Sequence, residues 1–280
     1  MKAFKTISSI QKQLSSIPFN KTLGFVATMG ALHKGHLSII ERAKEENDFV
    51  VVSIFVNPTQ FDKEEDLKKY PNQLKQDLAL LKSKNCDFVF TPSVDEMYTS
   101  KIKAASFDFD DLDNVMEGAF RDGHFNGVGT IVKKLFEIIQ PTKAYFGEKD
   151  FQQLQIINKM VDKESILVQI VACEIYREKD GLAMSSRNAR LNSKQRQAAP
   201  LIYKTLLKSK KLFPKKDINF VKNMVKNDIE SNNNLELEYF EIADIETLKS
   251  YNNKVKNKKC RAFIAVYAGS IRLIDNIALN

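Results

Sequence analysis

Apolar positions in the first half of the chain alternate between two rhythms. TLGFVATMG (22–30) is a short apolar run closed by glycine, which predicts a buried strand. HLSIIERAKEE (36–46) follows, with Leu37, Ile40 and Ala43 on one helical face. FVVVSIFV (49–56) is β-branched and aromatic on both faces, as a central parallel strand must be. LKQDLALLKS sets Leu74, Leu78 and Leu81 at helical spacing, and CDFVF reads as a third strand. The spacing predicts a long helix from Asn126 to Gln140, stopped by Pro141. KAYFG is then a strand, DFQQLQIINKMV a helix and SILVQIVAC another strand. Repeated β-then-α units predict a Rossmann-like, doubly wound parallel sheet with right-handed crossovers over residues 1–174. In such sheets ligands gather at the carboxyl ends of the strands.

The texture changes near residue 175. DGLAMSSRN (180–188) is a polar loop, and SKQRQAAPLIYKTLLKSKKL (193–212) reads as helical. LELEYFEIA alternates strictly, as a strand with one wet face does, and CRAFIAVYAGSIRLIDNIAL reads as two strands around an Ala-Gly-Ser turn. These features predict a smaller α+β lid domain over 175–280.

Composition adds exclusions. The net charge of +8 admits nucleic acid or anionic small molecules as partners. Between Leu201 and Cys260, however, 13 Lys stand against 8 Asp or Glu, leaving +5 in a segment without aromatic interleaving. That is a solvated lysine-rich surface rather than a nucleic-acid patch. Cys86, Cys173 and Cys260 are far apart and form no CxxC, so reduced cytosolic thiols are expected and no metal site. The opening MKAFKTISSIQKQL lacks the apolar core of a signal peptide, and FVVVSIFV is too short to span a bilayer. The expected location is cytoplasmic, with no membrane partner.

Four stretches carry candidate chemistry. In TMGALHKGH, a strand enters a glycine turn and then a helix whose first N–H groups and dipole favour an anion. Gly35 permits close approach of a ligand, and His33 and His36, three apart, can both face that ligand; the alternative is one histidine capping the turn and the other on the surface. In AMSSRNARL, Ser185, Ser186 and Arg187 offer hydroxyls and a permanent charge to phosphate, or else a helix cap with a surface arginine. YFGEKDFQQL sets Gly147, Glu148, Lys149 and Asp150 after a strand; Lys149 suits phosphate, and Asp150 suits either a ribose hydroxyl or a helix cap. SIFVNPTQF ends the most apolar strand with Asn57 and Gln60, amides that suit a small polar substrate or a turn around Pro58.

HKGH resembles the HxGH signature of HUP-type nucleotidyltransferases, a group that includes the class I aminoacyl-tRNA synthetases. Taken with YPNQLKQDL, VFTPSVDEMY, GHFNGVGTIVKKLF and RLIDN, the four stretches resemble the pantoate–β-alanine ligase family from about Gly24 to Asn276. The resemblance implies AMP-forming condensation of pantoate with β-alanine, with ATP and Mg²⁺, by a usually homodimeric enzyme. It assigns Met29, Gly30, Ala31, Leu32, His33, Lys34, Gly35 and His36 to ATP, with His36 as the catalytic histidine. Gly147, Glu148, Lys149 and Asp150 match further ATP segments, as do Tyr176, Met184, Ser185, Ser186 and Arg187. Gln60 and Gln153 match pantoate-contacting glutamines, Gln60 also lying near the β-alanine amine. Catalysis then falls to His36, His33, Lys149 and Arg187. Relatives often carry Pro at Ala27, Arg at Asn72 and a smaller residue at Tyr176. Two rival readings are a related nucleotidyltransferase acting on another acid, and a nucleic-acid-binding module. The first predicts AMP release with a different acid, and the second steeply salt-dependent binding.

Overall fold

The computed structural model describes residues 1–61, 64–68, 70–98, 102–253 and 258–280. Its strands are β1 (Lys2–Phe4), β2 (Leu23–Thr28), β3 (Phe49–Ile54), β4 (Phe88–Phe90), β5 (Lys143–Gly147), β6 (Gln169–Cys173), β7 (Glu236–Asp244), β8 (Cys260–Ala268) and β9 (Ile271–Ala278). Helices of eight residues or more are α1 (Ile7–Leu14), α2 (Lys34–Glu46), α3 (Leu74–Ser83), α4 (His124–Ile139), α5 (Phe151–Lys163), α6 (Leu201–Leu212) and α7 (Ile218–Glu230).

Contacts divide the chain into two compact units. The N-terminal unit comprises Met1–Asp113, Glu117–Glu148 and Gln153–Glu174; the C-terminal unit comprises Asn114–Met116, Lys149–Gln152 and Ile175–Asn280.

The N-terminal unit holds a six-stranded parallel sheet in the order β1-β4-β3-β2-β5-β6. This is the doubly wound architecture that the alternating rhythm predicts. β3 is central, and Val50 to Ile54 are buried on both faces, as continuous β-branched sequence requires. α2 lays Leu37, Ile40 and Ala43 onto the sheet, where they join a core with Val26, Val50 and Val52. α4 begins two residues before the predicted start and ends at Ile139, where Gln140 takes a left-handed cap ahead of Pro141.

Two features of this unit depart from the periodicity. β1 adds a three-residue edge strand beside β4. β6 takes up only the Gln169–Cys173 part of the predicted strand SILVQIVAC and lies half-exposed at the opposite edge.

In the C-terminal unit, β7, β8 and β9 form an antiparallel sheet. Ile202, Leu206, Val221 and Val225 share a core with Ile242 and Ile264. The predicted helix over 193–212 is two helices, Ser193–Ala198 and α6, because Pro200 has no N–H to carry the ladder through. α7 was not predicted, although Ile218, Val221, Val225 and Ile229 recur at helical spacing and are buried.

Candidate active site

The first β-to-α turn of the sheet, from β2 into α2, is the best-defined element of the site. Gly30 and Ala31 both take left-handed backbone, with φ of 81° and 51°. Glycine adopts this freely; alanine does so only when held. The holding group is Asp77 on α3, a carboxylate 1 % exposed, which accepts from the N–H of Ala31 at 3.0 Å and of Leu32 at 2.8 Å. A Cβ on Gly30 would stand 2.9 Å from the same carboxylate. The N–H groups of the turn are therefore engaged within the protein, Ala31 and Leu32 on Asp77 and Gly30 on the Thr28 hydroxyl at 3.2 Å. Asp77 was missed in the sequence because α3 reads there as a leucine face. Its only local signal is a carboxylate flanked by apolar positions on an amphipathic helix.

His33 and His36 stand at the N-cap and third positions of α2. Their rings stack with centroids 3.9 Å apart and planes 22° from parallel. The N–H of His33 donates to Nδ1 of His36 at 3.3 Å. An Nδ1 that accepts places the proton of the neutral ring on Nε2, so His36 presents an N–H donor at its far end. The histidine pair thus closes the start of the helix. Lys34 is exposed, and Gly35 and Ser38 are half-buried, with the Ser38 hydroxyl donating to the Gly35 carbonyl.

Gln60 belongs to the same constellation. It ends the turn Pro58–Gln60 beyond β3, and its Nε2 donates to Met29 Sδ at 2.9 Å. Asn57, 1 % exposed, donates to Gln60 Oε1 at 3.2 Å and to the Gly127 carbonyl at 3.1 Å. Tyr98 donates in turn to Asn57 at 2.6 Å, and burial pushes its phenol up. Asn57 is thus both turn-former and positioner of Gln60.

The third histidine, which belongs to none of the four candidate stretches, completes this turn. His124 Nδ1 lies 2.8 Å from the Gln60 carbonyl, and Arg121 lies 3.0 Å from Nε2. A carbonyl only accepts and a guanidinium only donates, so Nδ1 carries the proton. A cavity of about 240 Å³ adjoins the site at the carboxyl ends of β3 and β4, lined by Met29, Gly30, Phe55, Asn72 and Asp77 among others. Gln153 is half-buried on the first turn of α5. Gly147 ends β5 and Glu148 opens the turn Glu148–Asp150.

The remaining assigned residues belong to the C-terminal unit. Lys149, its side chain 20 % exposed, lies 3.6 Å from the Asp150 carboxylate. The Met184 N–H donates to the Tyr176 carbonyl at 2.9 Å, which makes these two residues a backbone pair across a tight connection. The Tyr176 ring is exposed. The Ser185 hydroxyl accepts from the Arg187 N–H at 3.2 Å and caps the turn Ser186–Arg190. The capping alternative is therefore realised for Ser185. Arg187 is not a free surface arginine, because its Nη1 donates to the Arg272 carbonyl at 3.2 Å.

A doubly wound parallel sheet with a histidine-paired first turn, and cationic residues on later loops, defines an α/β protein of the nucleotide-binding class. The family model for pantoate-beta-alanine ligase matches residues 2–278. A pantothenate synthetase of Christiangramia forsetii is 55 % identical over 275 residues, covering 98 % of this chain and 96 % of the relative. The crystal structure of pantothenate synthetase from Thermus thermophilus superposes with a TM-score of 0.91 at 37 % identity, covering 100 % of this chain and 99 % of the other. Pantoate-beta-alanine ligase from Francisella tularensis, complexed with beta-gamma ATP and beta-alanine, gives 0.81 at 36 % identity, with 100 % and 98 % covered. The chain belongs to the pantoate–β-alanine ligase family.

Proposed function

We propose that this protein joins pantoate to β-alanine using ATP, releasing AMP and pyrophosphate. The observation that carries the reading is the His33–His36 turn, intact and preorganised within a chain that the family matches from end to end.

A carboxylate is a poor electrophile because oxide is a poor leaving group. In the first step a pantoate carboxylate oxygen attacks the α-phosphorus of ATP, the bond to the bridging oxygen breaks, and pyrophosphate leaves. In the second, the neutral amine of β-alanine attacks the acyl adenylate, loses a proton, and expels AMP. Neither step needs a protein nucleophile. The site supplies position and positive potential where charge grows. The Nε2–H of His36 serves the α-phosphate with His33 beside it, and Lys149 and Arg187 serve the phosphates. Gln60, aimed by Asn57 and His124, receives pantoate together with Gln153 and lies near the β-alanine amine.

Mg²⁺ arrives as Mg·ATP. Among the described residues no group of three or more His, Cys, Asp or Glu is arranged to hold a metal. The family resemblance also supports a homodimer. Among the described residues no helix is long and apolar enough to cross a membrane; the cytoplasmic placement rests on the family resemblance.

The test is to supply pantoate, β-alanine and Mg·ATP and to measure AMP together with the amide product. Equal amounts of both are expected, with neither formed when pantoate is omitted. AMP release that follows a different acid, with pantoate inert, overturns the assignment.

A further inference from the structure

Lys149 has a partner that no motif assigns. Its backbone carbonyl accepts a hydrogen bond of 3.0 Å from Nδ2 of Asn276, a residue 2 % exposed on β9. The other end of that amide, Oδ1, accepts from Nη1 of Arg261 on β8. A guanidinium has no acceptor and a carbonyl has no donor, so the Asn276 amide has only one orientation that satisfies both partners.

The same hairpin grips the chain on the other side of Lys149. Phe151, two residues on, carries the Arg261 guanidinium over its ring at 4.0 Å and packs against Phe263 with centroids 5.8 Å apart. Asn276 pairs with Phe263 across the hairpin, and Arg261 lies two residues from Phe263 on the same strand. Arg261, Phe263 and Asn276 therefore share one face of the sheet, and the segment Lys149–Phe151 rests on that face.

Asn276 is anchored in turn. Its N–H donates to Asp275 Oδ1 at 2.8 Å, and Asp275, 4 % exposed, is forked by Arg177 at 2.6 and 3.0 Å. Arg177 lies 3.6 Å over the Tyr203 ring. β9 also supplies the Arg272 carbonyl that holds Arg187. One edge strand thus anchors both cationic residues that the proposed mechanism assigns to phosphate.

We propose that Asn276 is a positioning residue for the reaction, fixing the backbone from which the Lys149 ammonium reaches the nucleotide. This rests on the reading of Lys149 as a phosphate ligand. Asn276→Asp keeps the shape and the acceptor for Arg261 but turns an acceptor towards the Lys149 carbonyl. Asn276→Ser removes both ends of the amide without adding charge.

The experiment is a double-mutant cycle with Lys149→Ala, read as pantoate-dependent ATP–pyrophosphate exchange, with melting temperatures measured in parallel. In the Lys149 background each Asn276 variant is expected to lower kcat/KM for ATP about tenfold, the scale of a misplaced catalytic group. In the Lys149→Ala background the same changes should cost less than about twofold, because nothing is left to position. A merely structural role gives equal losses in both backgrounds, and that result overturns the proposal, as does undiminished exchange in both Asn276 variants. Full activity in Lys149→Ala alone overturns the phosphate role of Lys149, and the positioning role with it; that single variant tells the two failures apart.

Discussion

In the proposed mechanism His36 has two tasks for two different nitrogens. Nδ1 accepts from the His33 N–H and closes the helix start, while Nε2 is the donor proposed to serve the α-phosphate. Substitution can separate these tasks. Asparagine sets an amide oxygen near the Nδ1 position and has nothing at Nε2; alanine has neither. His36→Asn is expected to stay within a few tenths of a kcal/mol of the parent in stability, whereas His36→Ala should lose about 1 kcal/mol, the usual worth of a helix-start hydrogen bond. Both should slow adenylate formation about a hundredfold, equivalent to one lost donor at roughly 3 kcal/mol. Urea unfolding and pyrophosphate exchange measure the two effects independently. Equal exchange rates in parent and Asn variant would remove Nε2 from the chemistry.

At the scale of elements, the site depends on one close approach. α4 passes the turn Pro58–Gln60 so tightly that a Cβ on Gly127 would meet the Thr59 carbonyl oxygen at 2.1 Å and Gln60 Cα at 2.8 Å. Both are backbone atoms, so Gly127→Ala must push helix and turn apart. The expected cost is about 2 kcal/mol of stability. Because the turn carries Gln60, the Michaelis constant for pantoate should rise more than that for ATP. Steady-state kinetics with each substrate varied in turn checks this, and an unchanged pantoate constant would detach Gln60 from the acid substrate. Nothing in GHFNGVGTIVKKLF reveals this approach, because the partner lies more than sixty positions earlier. The same holds for Asp77, which serves a turn 45 residues before it, and for β1, whose three residues become a strand only beside β4. What the chain displays openly is what local periodicity encodes: the apolar run of β3, the Leu37–Ile40–Ala43 face of α2, and the turn between sheet and helix. Side-chain pairings across long sequence separations leave no periodic trace. The helix Ile218–Glu230 is different: its apolar spacing is legible, but the lysines and asparagines between those positions give the segment the look of a polar surface.

At the scale of the whole molecule, the residues assigned to ATP fall in both compact units, Met29–His36 in one and Met184–Arg187 in the other. The cysteines report on each unit separately. Cys86 and Cys173 are buried in the N-terminal unit and Cys260 in the C-terminal one. Burial pushes all three thiols up, Cys86 to about 12. Native thiolate is therefore both scarce and covered, and alkylation by iodoacetamide near pH 8 must pass through opening of the surrounding unit. A ligand at a hundred times its Kd adds about 2.7 kcal/mol to any opening that releases it, slowing labelling through that opening about a hundredfold. If one nucleotide engages both sets of residues, Mg·ATP should protect Cys86, Cys173 and Cys260 alike, as followed by mass spectrometry of the three peptides. Protection of Cys86 and Cys173 with Cys260 labelled at its ligand-free rate would mean that opening the C-terminal unit releases no nucleotide. Met184–Arg187 would then lose their assignment, while the histidine turn would keep its own.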